Sequence, residues 1–328
     1  MILRKRSVFT TLVVAALLLA GWGPSEAQTP APKPFSLELR FMTGPSGGAF
    51  YTLGTALAEI FQRELPGLSI TILPGNSLAN IAAMDADKAD LGLSGSAAVA
   101  TAVAGGAPFK SPVKKALHMA TFWTQPWQLG VTASSGISSM GDLKGKRLAA
   151  NARGSVGEQM TRHALQVYGL SYSDMARVEF IAGNDAVGAM KDRRLDAWPP
   201  TGPWPYNFFL DVANSIAMRF ISLSDDKIAA LNKINGAYVR QVIPADTYKG
   251  QDKEVVTFGD HAVLIVHANV PDEVVARMTR ALAVPANLGK LRTVMASLKG
   301  LKLEEMKMAS GFSQHAGAAQ AYREVSSR

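Results

Sequence analysis

Residues 37–54 read LELRFMTGPSGGAFYTLG. Leu37, Leu39 and Phe41 alternate with Glu38, Arg40 and Met42, the period-two pattern of a strand with one buried face. A glycine-rich loop, Gly44-Pro45-Ser46-Gly47-Gly48, follows, and Leu53, Leu57, Ile60 and Phe61 then recur at helical spacing until Pro66-Gly67. Strand, tight loop and helix in this order open an α/β unit. Downstream, Ser69 to Leu73 predicts a second strand, Gly75-Asn76-Ser77 a turn and helix N-cap with the helix running through Met84, and ADLGLS at 89–94 a third strand. Elements of these lengths, alternating this way, predict a largely parallel sheet.

The rhythm then restarts. After the GDLKG turn, Lys146 to Ala150 predicts a strand, and NARGSVGEQM (151–160) leads into a helix striped by Val156, Met160, Ala164 and Val167. Arg177 to Ile181 predicts a strand, Asn184 or Asp185 caps a helix to about Arg194, and LDAW (195–198) predicts another strand. Two α/β units imply two lobes. Between them TFWTQPWQLGV (121–131) is extended in character, and EVVTFGDHAVLIVHANV (254–270) predicts a return crossover before helices from Asp272 and a polar tail. The expected division is lobe I at 37–123 and 258–328, lobe II at 128–254, and hinge crossovers at 121–131 and 254–262.

The N-terminus carries a different signal. Arg4, Lys5 and Arg6 precede an apolar run from Val8 to Ala20, and Ser25-Glu26-Ala27 offers a small-residue cleavage site. Residues 1–27 read as a secretory signal peptide cut after Ala27, with 28–36 (QTPAPKPFS) a disordered leader. The expected location is the periplasm. The chain has no cysteine, which excludes disulfides, thiolate nucleophiles and cysteine metal sites. Its formal net charge of +8 falls to +6 without the signal, and basic residues are interspersed with acidic ones, against a nucleic-acid partner. No two histidines stand at metal-ligand spacing on one helix, so no metal is expected.

Gly44 to Gly48 matches G-x-S-x-G, the nucleophile elbow of α/β-hydrolases. A secreted serine hydrolase acting through Ser46 is thus an alternative, but nothing but one strand precedes the loop to supply an oxyanion donor. None of His118, His163, His261, His267 and His315 falls in a loop expected at the cleft. The loop lacks G-x-G-x-x-G and a P-loop lysine, which argues against nucleotide. SPVK at 111–114 has no S-D-N or K-T-G partner. The simpler reading is a loop of backbone amides and a hydroxyl that holds an anion, with no catalytic residue and no cofactor.

From Leu37 to Glu324 the chain resembles the TAXI family of substrate-binding proteins that serve TRAP transporters. The resemblance rests on Thr43 to Gly54, on Gly75, Ser77 and Asn80, on Ala89 to Gly92, and on Asp142 to Lys146. It continues through Gly154-Ser155-Val156-Gly157, Asp196, Ala197, Gly202 and Pro205, and ends at His315-Ala316-Gly317-Ala318 with Tyr322 and Glu324. It implies a two-lobe, type II-like periplasmic binding protein whose partners are a small organic acid, glutamate-like or a 2-oxo acid in the family's usual case, and a TRAP membrane permease. An ABC-importer receptor of similar build and a ligand-sensing module are the competing binding-protein readings.

The expected ligand set takes helix N-termini from both lobes: Ser46, Gly47, Gly48, Phe50 and Tyr51, then Asn76, Ser77 and Asn80, and Ser155, Val156 and Gly157 opposite, with Arg153 as a charged fork. Ser94 and Ser96 stand where the family often has a Gln. Trp123, Gln125 and Trp127 in the first crossover, and Trp198, Thr201 and Trp204 in the loop after Asp196, complete the set. Four tryptophans at the cleft predict a ligand with an apolar or aromatic body.

Overall fold

The computed structural model describes residues 35–308 and 311–326. The expected signal peptide and nearly all of the expected leader lie outside these residues.

The first half-chain runs β1 (Leu37–Met42), α1 (Ala49–Glu64), β2 (Leu68–Leu73), α2 (Ser77–Asp85), β3 (Leu91–Gly95), α3 (Ser96–Val103) and the long β4 (Ala116–Pro126). Next come β5 (Gly130–Thr132), β6 (Arg147–Ala149), α4 (Val156–Val167), β7 (Arg177–Glu179), α5 (Gly183–Lys191), β8 (Ala197–Trp198), α6 (Asn207–Ser215), β9 (Met218–Phe220) and α7 (Asp225–Ile234). The chain returns through β10 (Val239–Ile243) and β11 (Val255–His267) and finishes with α8 (Asp272–Ala283), α9 (Pro285–Val294), α10 (Leu303–Met306) and α11 (Ala316–Ser326).

These strands make two sheets. One has six strands in the order β10-β11-β3-β1-β2, with β4 also on β11; the other has five in the order β7-β6-β8-β5-β9. Pairs β1–β2 and β1–β3 are parallel, as are β6–β7 and β6–β8, so each sheet has a parallel α/β core. The two-lobe expectation holds. The linking strands β4 and β11 pair antiparallel from His267↔Ala116 to Gly259↔Pro126, a two-stranded crossover. Strand β10, which the expected division gives to lobe II, pairs antiparallel with β11 at the edge of the first sheet, since its register Val239↔Gly259 to Ile243↔Val255 continues the crossover.

One pairing recurs in both lobes although the sequence shows no residue repeat. Arg40 on β1 donates from Nε and Nη2 to Asp90, just before β3, at 2.9 Å each, and its backbone N–H adds a third bond at 2.8 Å. Arg147 on β6 does the same to Asp196, just before β8, at 2.9, 2.6 and 2.8 Å. Each bidentate fork clamps the first strand to the third where their pairing begins, beside the Asp90 N to Arg40 O and Asp196 N to Arg147 O backbone bonds.

The first lobe's core joins Phe41, Leu53, Leu57, Ile60 and Phe61 to Val275, Met278 and Leu282 of α8. Full burial of each large side chain contributes about 1.5–3 kcal/mol. A second cluster crosses between lobes, from Leu78, Ile81 and Ala97 to Trp127, Leu148, Val156, Met160 and Phe258. A third holds lobe II together around Met190, Trp198 and Phe209. Because helices follow parallel strands, the N-termini of α1, α2, α4 and α6 gather at the carboxyl ends of their strands, where open α/β sheets leave a crevice.

Candidate functional site

A cavity of about 780 Å³ occupies that crevice. Its wall takes Gly44, Pro45, 47–50 and Thr52 from the β1–α1 loop and helix start, Gly75 to Ser77 from the β2–α2 turn, and Gln125 from β4. Lobe II contributes Asn151, Ala152, Ser155, Val156 and Gly157, then Ala182 before α5, and 201–208 between β8 and α6. A last piece, Val294 to Ser297, comes from the end of α9.

The helix ends supply the polar part. Helix α1 starts after Gly48 with no side-chain cap, and the Ala49 and Phe50 amides have no acceptor in the chain among the described residues. Asn76 caps α2 by accepting from Ala79 N at 3.2 Å, and Leu78 N donates across the cleft to Gly154 O at 3.2 Å. Ser155 caps α4 by accepting from Glu158 N at 3.2 Å, which leaves the Val156 and Gly157 amides without an acceptor among the described residues. A helix end of this kind carries about half a positive charge. Among the described residues, no Asp, Glu, Lys, Arg or His side chain belongs to the wall.

Sequence-predicted residues divide accordingly. Gly47, Gly48, Phe50, Asn76, Ser77, Gln125, Ser155, Val156, Gly157, Thr201 and Trp204 stand in the wall. The other nine do not. Ser46 and Tyr51 are exposed outside the wall. Asn80 is buried, with Nδ2 donating at 2.7 Å to both Thr43 O and Leu93 O, so it ties the loop after β1 to β3. Ser94 and Ser96 are buried in the joint: Ser94 Oγ donates to Ser77 O at 3.4 Å, and Ser96 Oγ accepts from His261 N at 3.1 Å. Arg153 offers no fork, because its guanidinium lies 3.4 Å over the Phe180 ring.

The tryptophans are the main correction. Trp127 is 1% exposed with Nε1 on Thr161 Oγ1 at 3.1 Å, and Trp198 is 0% exposed with Nε1 on Asn151 Oδ1 at 3.0 Å. Trp123 is buried behind Phe50, ring centroids 6.0 Å apart. Only Trp204 reaches the wall, and it is 39% exposed.

Sequence reasoning missed Asn151, Tyr206, Phe208 and 294–297. Asn151 is 5% exposed, donates to Pro199 O at 2.9 Å and sits at φ +66°, the left-handed conformation that Asn tolerates. The proline-rich loop is strapped from behind. Gln128 Nε2 donates to Gly202 O at 2.9 Å, Tyr248 Oη donates to Gln128 Oε1 at 2.5 Å, and Tyr206 N donates to Tyr248 Oη at 2.8 Å. Burial raises both tyrosine pKa values, so the strap stays neutral.

Behind Gln125 lies Asp260, fully buried on β11. Its Oδ1 accepts from Gln125 Nε2 at 3.3 Å and its Oδ2 from Ala97 N at 3.0 Å. Burial pushes its pKa up to about 7, against the lowering effect of those two bonds. The histidines lie elsewhere: His163 Nδ1 is 2.8 Å from Tyr238 Oη, and His118 Nε2 is 2.9 Å from Thr121 Oγ1. Among the described residues Ser46 makes no hydrogen bond to a histidine. Among the described residues no group of three His, Cys, Asp or Glu is placed to hold a metal ion.

The NMT1-like family model matches residues 41–325. Among solved structures, a TctC solute-binding protein from Polaromonas superposes with a TM-score of 0.50 at 16% identity, over 90% of this chain and 97% of that one. A structure reported for glutathione import via GshT and the cystine ABC importer TcyBC of Streptococcus mutans gives 0.51 at 12% identity, over 83% and 100%. The periplasmic aliphatic sulphonate binding protein SsuA from Escherichia coli gives 0.46 at 16% identity, over 89% and 84%. At these identities the likeness is one of fold.

Proposed function

The chain belongs to the NMT1-like family, and on that premise we propose that it is a periplasmic solute-binding protein, not an enzyme, that captures a small organic carboxylate between its lobes. The observation that carries this reading is the cavity itself. Several helix N-termini from two lobes meet around about 780 Å³ whose wall, among the described residues, has no ionised side chain. The amides of Ala49, Phe50, Val156 and Gly157 are fixed donors, and the aligned peptide dipoles favour an anion without a basic residue.

Closure follows from the same geometry. An acid held by α1 on one side and α4 on the other is bound fully only when the lobes approach, with β4 and β11 as the hinge. Closure is the signal a membrane partner reads. By the TAXI resemblance that partner is a TRAP permease, driven by an ion gradient; an ABC importer is the alternative. Export with cleavage after Ala27 belongs to the same reading.

Isothermal titration of the mature chain with a panel of organic acids tests capture, with one site per chain expected. Uptake in vesicles holding a permease encoded beside its gene distinguishes the partners. A TRAP system runs on an imposed ion gradient without ATP, and transport that needs ATP assigns the protein to an ABC importer.

A further inference from the structure

The wall of the cavity is unusual in what it omits. It contains no acidic side chain and no basic one among the described residues. The ionisable side chains beside it are occupied elsewhere. Glu158, next to Gly157, accepts from Tyr172 Oη at 2.9 Å. Arg153, two residues before the α4 cap, is spread on Phe180. Asp260 is screened by Gln125, and both its carboxyl oxygens are already used by Gln125 Nε2 and Ala97 N.

We propose that the cleft selects a singly charged organic anion with an aryl-sized apolar body and no ammonium group. The proposal rests on the reading of this cleft as a carboxylate site and narrows it. An ammonium brought into a closed cleft loses its water and needs an anionic partner. The wall has none, so a zwitterionic amino acid is rejected at its nitrogen. A second carboxylate meets the same obstacle with opposite sign, since one cluster of helix ends serves one anionic head. This departs from the glutamate-like ligands that the TAXI resemblance implies.

The remaining wall fits an apolar body. Phe50 approaches from lobe I, Tyr206 and Phe208 from lobe II, and Val294 and Met295 come from the end of α9.

A matched set of ligands tests the proposal without altering the protein. 3-Phenylpropionate and L-phenylalanine share ring and carboxylate and differ by the ammonium; L-glutamate adds a second carboxylate and lacks the ring. Calorimetric titration of the mature chain should give 3-phenylpropionate an affinity at least tenfold above L-phenylalanine, with no saturable heat from L-glutamate. Equal or tighter binding of either amino acid overturns the ligand class and leaves carboxylate capture standing. No binding by any of the three overturns both.

Discussion

Gly157 is the second residue of α4 and stands in the cavity wall. A Cβ added there would lie 3.1 Å from Asn151 Nδ2 and 3.1 Å from Thr201 Oγ1, so any side chain asks its neighbours to give by a few tenths of an ångström. Comparing Gly157→Asn with Gly157→Asp removes that cost from the comparison, because the two side chains match in shape and differ in charge. A carboxylate about 5 Å from the ligand's own repels it by roughly 1 kcal/mol at the dielectric of water and about 3 kcal/mol at an effective dielectric of 20. The Asp variant should therefore bind 3-phenylpropionate roughly 5- to 150-fold more weakly than the Asn variant. Stability should move the other way, since an acid in the first turn of a helix stabilises it by about 0.3–1 kcal/mol. Titration calorimetry and thermal melts on the same samples read both. Equal affinity in the two variants would show that the α4 N-terminus does not face the anion.

Three further outcomes follow. Asp260, whose pKa burial raises from 3.8 to about 7, binds more protons folded than unfolded between those values. The stability of wild type relative to Asp260→Asn should thus fall as pH rises from about 4 to 7 and level off above, by up to something on the order of 4 kcal/mol, whatever opposite slope the buried His118 and His163, both lowered to about 4, give the two proteins in common; the same pH profile in both proteins would refute it. Asn151→Ala leaves Trp198 Nε1 and Pro199 O unpaired; chemical denaturation should show a loss of about 2–5 kcal/mol, and a loss under 1 would mean the loop after β8 is held otherwise. Ser46→Ala should leave affinity for 3-phenylpropionate within about twofold, since losing a hydrogen bond to a charged group would cost roughly 1.5–3 kcal/mol, and esterase activity that vanishes in this variant would restore the hydrolase reading.

Much of the fold is written locally. The alternation at 37–42, the glycine loop and the helical stripe after it are properties of neighbouring residues, and so are the Asn76 and Ser155 caps. That is why the helix-end part of the site was legible. The tryptophans were not, for a physical reason. β4 is buried on both faces along most of its length, so position along the strand does not tell a core-facing ring from a cleft-facing one. Trp127 and Trp198 went to cores shared with Phe258 and Phe209, where their N–H groups find Thr161 and Asn151. The 294–297 segment enters the wall through the docking of α9 against α1, a contact between residues over 200 positions apart that no local pattern announces. The Arg40–Asp90 and Arg147–Asp196 clamps were hidden for a similar reason: each partner alone is an ordinary surface charge.

The central claim is that one organic anion is held between the lobes by helix ends from both. Small molecules released by denaturing the protein purified from its own cells, identified by mass spectrometry in wild type and in Gly157→Asp, test it most directly. The account predicts a single acid, near one equivalent per chain in wild type and depleted in the variant, with no amine in its formula. Release of an amine or an uncharged compound, or equal amounts of the same molecule from both proteins, would contradict it.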